Sequence, residues 1–304
     1  VITCQRKLVP DAERRPALPG WQKQLPGPET AQQDRLVIHA TDQDEAGRGQ
    51  EPSDAGRPVV LVTGAGRTAG IGAGVAGQLA ASGWDIAFTY WTPYDERMTW
   101  GIEPGAADAI QAMLAGHGAA AAAIEADLAD PDAPAQIFDA AQRQLGSVTA
   151  LVMCHCESVD SGLLDTTVES FDRHFAVNAR ATWLLIREYG LRFRGLHGTG
   201  RIISLTSDHT VGNLPYGASK GALDRITLAA AHELAHLGIT ANVINPGPVD
   251  TGWMTDEIRE SGIRHTPLGR LGTPRDTGHL VDFLCSPQGG WINGQLLMSN
   301  GGYA

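Results

Sequence analysis

From Pro58 onward, short β-branched runs alternate with longer helical patterns, and this alternation restricts the fold more than any other feature of the chain. PVVLVTG is the first run, followed by the helical GAGVAGQLAASG, and DIAFTYW is the second. AAAAIEADLAD contains a third strand, and PAQIFDAAQRQLG reads as a helix. VTALVMC, GRIISLTS, ITANVINPG and GQLLMSNGG supply four more. Between them, one long helix is predicted over VESFDRHFAVNARATWLLIREYGLRF and another starts within LPYGASKGALD. Such alternation implies right-handed βαβ units, because a right-twisted strand feeding a helix packs back onto its sheet in that hand. The expected fold is α/β: one doubly wound domain over residues 58–304, with a mostly parallel sheet of seven strands.

Residues 1–57 have a different texture. PALPGWQKQLPGPETAQQDR and ATDQDEAGRGQEPSDAGRP are rich in Pro, Gly, Gln and charge, and flank one short apolar island, LVIHA. Such a segment buries too little apolar surface to offset its ordering entropy, so a flexible, linker-like extension is expected. VITCQRKLVPDAERR lacks the apolar core of a secretory signal, and no apolar run approaches the ~20 residues of a bilayer span. A formal charge of −11 argues against nucleic acid as a partner. Cys4, Cys154, Cys156 and Cys285 form no regular framework, which favours a reducing cytoplasm. CHC at 154–156 matches no usual zinc spacing and lacks a second ligand pair, so no metal is expected.

LVTGAGRTAGIGAGVA joins the first strand to the first helix. Gly64, Gly66, Gly70 and Gly72 fall where the backbone must approach a pyrophosphate, and Ile71 opens a helix whose free N–H groups and dipole favour an anion. A glycine pattern between a buried strand and a helix is the context that dinucleotide binding demands. The second strand ends in FTYW, without the carboxylate that accepts from an NAD ribose, and Trp91 there is counted among the cofactor contacts. Arg67, inside the loop, suits a 2′-phosphate, so the cofactor is expected to be NADP(H).

TGAGRTAGIG, ADLAD, AVNARATWLL, YGASK and NPGPVDTGWM occur in an order that resembles the classical short-chain dehydrogenases/reductases, over about residues 58–304. TYWTPYDERMTWG looks like a bacterial branch often labelled 3-oxoacyl-carrier-protein reductase. More narrowly, the chain resembles aromatic-polyketide tailoring reductases such as angucycline ketoreductases, some of them fused behind a flavin oxygenase. The resemblance implies a Rossmann domain and a homodimer or homotetramer. It implies that Asp127 and Leu128 meet the adenine, that Pro246, Gly247 and Val249 pass the nicotinamide, that Thr251 lies near its carboxamide, and that Asn178 holds a water in a proton relay. Three departures stand out. The glycine loop is two residues longer than the usual pattern; LVMCHCES stands where the family has Asn-Asn-Ala-Gly, so that Cys154, His155 and Cys156 would line the cofactor; and only nine positions separate Ser207 from Tyr216, fewer than usual.

Tyr216 and Lys220, at i and i+4, project from one helix face. A neighbouring ammonium and an oxidised nicotinamide both favour a phenolate, which would bring the tyrosine below its ordinary value near ~10. Tyr216 would protonate the growing alkoxide while Ser207 polarises the carbonyl and Lys220 holds the nicotinamide ribose. Ser204 and Thr206 are alternatives to Ser207, which is favoured by its place at the strand's carboxyl end. Trp253 and Met254, in a predicted helical lid, would offer a wall to a polycyclic ligand. The expected activity is NADPH-dependent reduction of a ketone, polycyclic under the narrower resemblance. A 3-oxoacyl-carrier-protein-type reductase, an enoyl reductase and a non-catalytic NADP-binding regulator are the alternatives. The enoyl reading ranks lower, because its family members place more residues between Tyr and Lys.

Overall fold

Seven aliphatic runs pair side by side: Val59–Thr63 (β1), Asp85–Tyr90 (β2), Ala121–Glu125 (β3), Val148–Met153 (β4), Gly200–Leu205 (β5), Ile239–Asn245 (β6) and Leu296–Met298 (β7). All pairings are parallel, in the order β3-β2-β1-β4-β5-β6-β7. This computed structural model describes residues 56–303. The extension expected over residues 1–57 lies outside the described residues except for its last two. Of these, Arg57 is tied into the domain: it donates to the carbonyls of Ala80 (2.5 Å) and Trp84 (3.1 Å) and pairs with Asp85.

The strands are continuous apolar runs because both sheet faces are covered. Alternate residues serve two cores. Val59, Leu61, Leu151, Met153 and Ile202 pack under Ala133–Leu145 (α4), Ala181–Arg192 (α6) and Leu214–Glu233 (α7). Val60, Val62, Val152, Ile203 and Ile244 pack under Ile71–Ala81 (α1), Ala106–Gly116 (α3) and Pro274–Cys285 (α9). Thr92–Glu96 (α2) and α3 occupy the stretch between β2 and β3, where the sequence pattern assigned no helix. Asp256–His265 (α8) fills the predicted lid segment after β6.

The long helix predicted over Val168–Phe193 is not uniform. Val168–His174 (α5) and α6 are joined by a π-helical stretch, Phe175–Arg180, in which the Ala181 N–H reaches back to the Ala176 carbonyl. Interruptions of this kind concentrate at functional sites, and this one contains Asn178.

Order doubles back between β1 and β4, so the loops after those strands part and leave a crevice at their carboxyl ends. Farther along the sheet, Arg201 on β5 is a buried guanidinium facing carbonyls alone. It donates to Leu284 (2.9 Å), Gly198 (2.8 Å) and Gly200 (2.9 Å), which fastens β5 to the end of α9. Removing it strands several buried acceptors at once. Arg201→Met is expected to cost about 3 kcal/mol or more in urea unfolding; a loss below about 1 kcal/mol would show that the carbonyls find other partners.

Candidate functional site

The crevice at the β1/β4 switch point is a groove of about 200 Å³ lined by residues from five loops. One bank is the glycine loop: Gly64, Gly66, Arg67, Gly70, Ile71 and Gly72 all border it. Gly64 has φ of +76°, and a Cβ on it would stand 2.5 Å from the His155 Cα; a Cβ on Gly72 would stand 2.5 Å from the Gly64 carbonyl oxygen. Side chains are excluded here, so the backbone can approach a ligand closely. The α1 N-terminus has Gly70 as its cap, without a side-chain cap or an acidic residue in its first turn. Its first N–H groups are therefore left for an anion. The two additional loop residues form a turn closed by Gly70 N–H to the Arg67 carbonyl (3.0 Å). These features fit the pyrophosphate of a dinucleotide.

Trp91, Asp127 and Leu128 border the groove beyond β2 and β3. Cys154, His155 and Thr251 also line it. Pro246, Gly247 and Val249 do not. They lie past the end of β6, where Gly247 packs against Asn300 and Val249 is buried in a bridge to Gly272. Thr89, Asp95, Glu157 and Arg173 line the groove without having been singled out from the sequence, and so does Tyr94, whose place beside the second strand suggested packing. Of these, Thr89 accepts from the Gly64 N–H at 3.2 Å.

His155 is a brace as much as a lining residue. Its Nε2 lies 3.1 Å from the Val177 carbonyl and its Nδ1 lies 2.6 Å from the Thr63 hydroxyl. A carbonyl only accepts, so Nε2 carries the proton and Nδ1 accepts from Thr63. Burial holds the ring neutral, with its pKa pushed down to about 3. Next along the loop, the Glu157 backbone is clasped by the Asn178 side chain, Oδ1 accepting from N–H (2.7 Å) and Nδ2 donating to the carbonyl (2.9 Å). The second Nδ2 hydrogen goes to Ser219 Oγ (2.8 Å), which donates to the Tyr216 carbonyl (2.8 Å). Both amide hydrogens of Asn178 are thus engaged within the protein, where the sequence assigned the residue to a bound water.

The Arg67 guanidinium, expected to be free for a phosphate, is also engaged. It donates to the Thr251 carbonyl (2.9 Å), pairs with Asp95 (3.7 Å) and lies 4.5 Å over the Trp100 ring. The Glu157 carboxylate, almost wholly buried, pairs with Arg97 and, at 3.4 Å, with Arg173; Arg173 also reaches Asp127 (3.3 Å).

Tyr216 and Lys220 share the first turns of α7, the ammonium 5.7 Å from the tyrosine ring centre. Lys220 is buried and donates to the Leu205 carbonyl (2.9 Å). Burial pushes its pKa down, against the pull of Cys156, Cys154 and Asp224. Burial likewise raises the Tyr216 phenol well above the ordinary range; Cys156 adds to the rise and the Ser207 hydroxyl opposes it. Within the chain, burial is the largest influence on the phenol and acts against the acidification expected from a neighbouring ammonium and an oxidised nicotinamide. Among the three hydroxyls considered, Ser204 is spent on Thr227 (2.7 Å) inside the core, and Thr206 Oγ1 is buried near Asp224. Ser207 Oγ accepts from the His209 N–H (3.1 Å) and is the one of the three that acts on the phenol.

A family model described as enoyl-(acyl carrier protein) reductase matches residues 64–304. An uncharacterized oxidoreductase of Bacillus subtilis is 37% identical over 250 residues, 81% of this chain and 96% of that protein. The chain belongs to the short-chain dehydrogenase/reductase family. It is an NAD(P)-dependent oxidoreductase. Versicolorin reductase 1 of Aspergillus parasiticus is 33% identical, over 80% of this chain and 95% of its own. A blue fluorescent protein from a metagenomic library, solved in complex with NADPH, superposes with a TM-score of 0.73 at 34% identity, over 82% of this chain and 98% of its own.

Against the short-chain dehydrogenase/reductase pattern, the shortened Ser207–Tyr216 connection is held down firmly. Asn213 donates to Asp160 (2.6 Å) and Ser158 (3.1 Å), and a Cβ on Gly217 would stand 2.4 Å from the His209 carbonyl oxygen. Of the two residues expected to form a substrate wall, Trp253 is 44% exposed while Met254 is buried.

The neutral His155 couples the site to pH. Unfolded, the ring takes a proton near pH ~6.5; folded, it refuses one until about pH 3. Its contribution to stability is complete above the unfolded value and is lost as the pH falls between the two. On lowering the pH from about 7.5 to about 5, the wild type is expected to lose about 2 kcal/mol more stability than His155→Gln. Urea unfolding at both pH values checks this, and parallel losses would mean that the ring is charged in the fold.

Proposed function

We propose that the protein is an NADPH-dependent ketoreductase acting on a ketone of a polycyclic aromatic polyketide intermediate of the angucycline type. The observation that carries this reading is the Tyr216–Lys220 pair at the start of α7, tied through Ser219 and Asn178 to the Glu157 backbone in the wall of the glycine-walled groove. Tyr216 is near enough to Cys156 and Tyr94, both of which line that groove, to share their charge interactions. NADPH, when bound, supplies the hydride.

The remaining work falls to the chain. Backbone N–H groups at Gly66, Ile71 and Gly72 hold the pyrophosphate, while Gly64 and Gly70 shape the loop around it. Asp127 and Leu128 border the adenine, Trp91 the adenosine end, and Cys154 and His155 the floor. Ser207 donates to the substrate oxygen and favours the developing alkoxide. Tyr216 gives that oxygen its proton and is left as a phenolate whose charge the nearby Lys220 ammonium favours, until a proton returns after the alcohol leaves. Asn178 is a positioning residue: through Ser219 it fixes the carbonyl of Tyr216 and so the first turn of α7.

NADP is preferred over NAD because β2 ends in Tyr90 and is followed by Trp91, with no carboxylate for a ribose, and because the nearby Asp95 is already engaged by Arg67 and Trp100. A structural relative with NADPH bound supports the same preference. The likeness to a versicolorin reductase, a polyketide-related relative, supports the substrate class. A flavin oxygenase, fused or separate, belongs to this proposal as the supplier of the oxygenated ring. So does a homodimer or homotetramer, supported by the exposed Trp291, Leu296 and Met298 about the edge strand β7. A cytoplasmic setting fits the three described cysteines, all free thiols.

Tyr216→Phe is expected to bind NADPH normally and to lose at least ~100-fold in turnover of a polycyclic aromatic ketone; undiminished NADPH consumption would remove the mechanism. Because burial keeps the phenol protonated, kcat/KM for ketone reduction is expected to stay level from about pH 6 to about pH 9. A decline that begins near neutrality and disappears in Tyr216→Phe would show an acidified tyrosine instead.

A further inference from the structure

Beyond β2 the chain does not go directly to α3. Residues 92–103 run from one bank of the groove to the other, and Tyr94 and Asp95 line its interior. At the glycine-loop bank, Asp95 pairs with Arg67 and Trp100 covers the same guanidinium, its Nε1 donating to Asp95 at 2.8 Å. Glu103 accepts from both the N–H (3.0 Å) and the hydroxyl (2.5 Å) of Thr68. At the opposite bank, Arg97 pairs with Glu157, and the Tyr94 hydroxyl donates to the Ser158 carbonyl (3.5 Å). We propose that residues 92–103 form a strap latched across the dinucleotide groove, and that its release sets the rate at which NADPH enters and leaves. The inference rests on the cofactor reading above.

Charge bookkeeping at the two latches favours opening. Breaking an ion pair is costly when it strands a buried charge. Here, when Arg97 swings away, the buried Glu157 keeps Arg173 at 3.4 Å. When Asp95 and Trp100 swing away together, Arg67 keeps the Thr251 carbonyl at 2.9 Å. Each fixed partner retains a second contact, so the strap can lift while Glu157 stays ion-paired and the Arg67 guanidinium keeps a hydrogen-bond acceptor. Of its own charged members, Glu96, Arg97 and Glu103 are already exposed, and the buried Asp95 leaves with the Trp100 N–H still bonded to it. Motions that free a bound ligand often limit turnover.

The test uses the full chain and NADPH itself. Trp100→Leu and Arg97→Gln, neither of which lines the groove, are each expected to raise the NADPH dissociation rate about tenfold in stopped-flow displacement. The rate of hydride transfer in a single turnover should remain within about twofold of wild type. In the wild type, hydrogen exchange at residues 92–103 is expected to slow when NADPH is added, a readout that does not depend on either variant folding. Normal NADPH binding with dissociation unchanged in both variants, or exchange at 92–103 unaffected by NADPH, overturns the strap and leaves the ketoreductase reading intact. A wild type that binds no NADPH overturns both.

Discussion

Where β1 and β4 part, one neutral imidazole joins three elements: the end of β1 through Thr63, the loop after β4, and the π-helical stretch through Val177. The rest of the site is arranged around this junction. Two residues farther on, the Glu157 backbone is gripped by Asn178, and Asn178 reaches through Ser219 to the tyrosine-bearing helix. The groove wall and the proton donor therefore share a single framework of buried hydrogen bonds. Each member is satisfied, which is the condition under which a buried polar network stiffens a structure rather than weakening it.

The chemistry of the tyrosine–lysine pair depends on its surroundings more than on its spacing. An ammonium beside a phenol lowers its pKa in water, yet burial acts on both groups and favours their neutral forms. A protonated phenol is the form that a reductase needs at the start of its cycle, since it must donate. Desolvation thus prepares the donor, and the adjacent hydroxyl of Ser207 marks where the acceptor oxygen belongs.

Much of the fold could be read from the sequence because its signals are local. Seven short apolar runs became seven parallel strands, and the glycine pattern between β1 and α1 became one bank of the groove. What escaped reading depends on distant partners. Arg67 meets Thr251 across 184 positions, and Glu157 meets Arg97 across 60; no periodicity records such pairs. α2 was missed because five residues carry no helical period of their own. Val249 looked like a contact residue by its place in a motif, but it turns into the interior beside Gly272. The π-helical stretch left no trace in composition, because its residues are ordinary helix formers and the interruption comes from what they pack against.

That stretch fixes the phase of everything downstream. Each residue advances a helix by roughly 100°, and a π turn absorbs one residue more than an α turn does. The surplus lets α5 turn Arg173 toward the groove while α6, on the same rod, turns Leu185 and Tyr189 into the core. A shortening by one residue between Phe175 and Arg180 would straighten the rod and rotate one half against the other. Either the aliphatic face or the arginine would then point the wrong way, so the length of this helix is as tightly specified as its side chains.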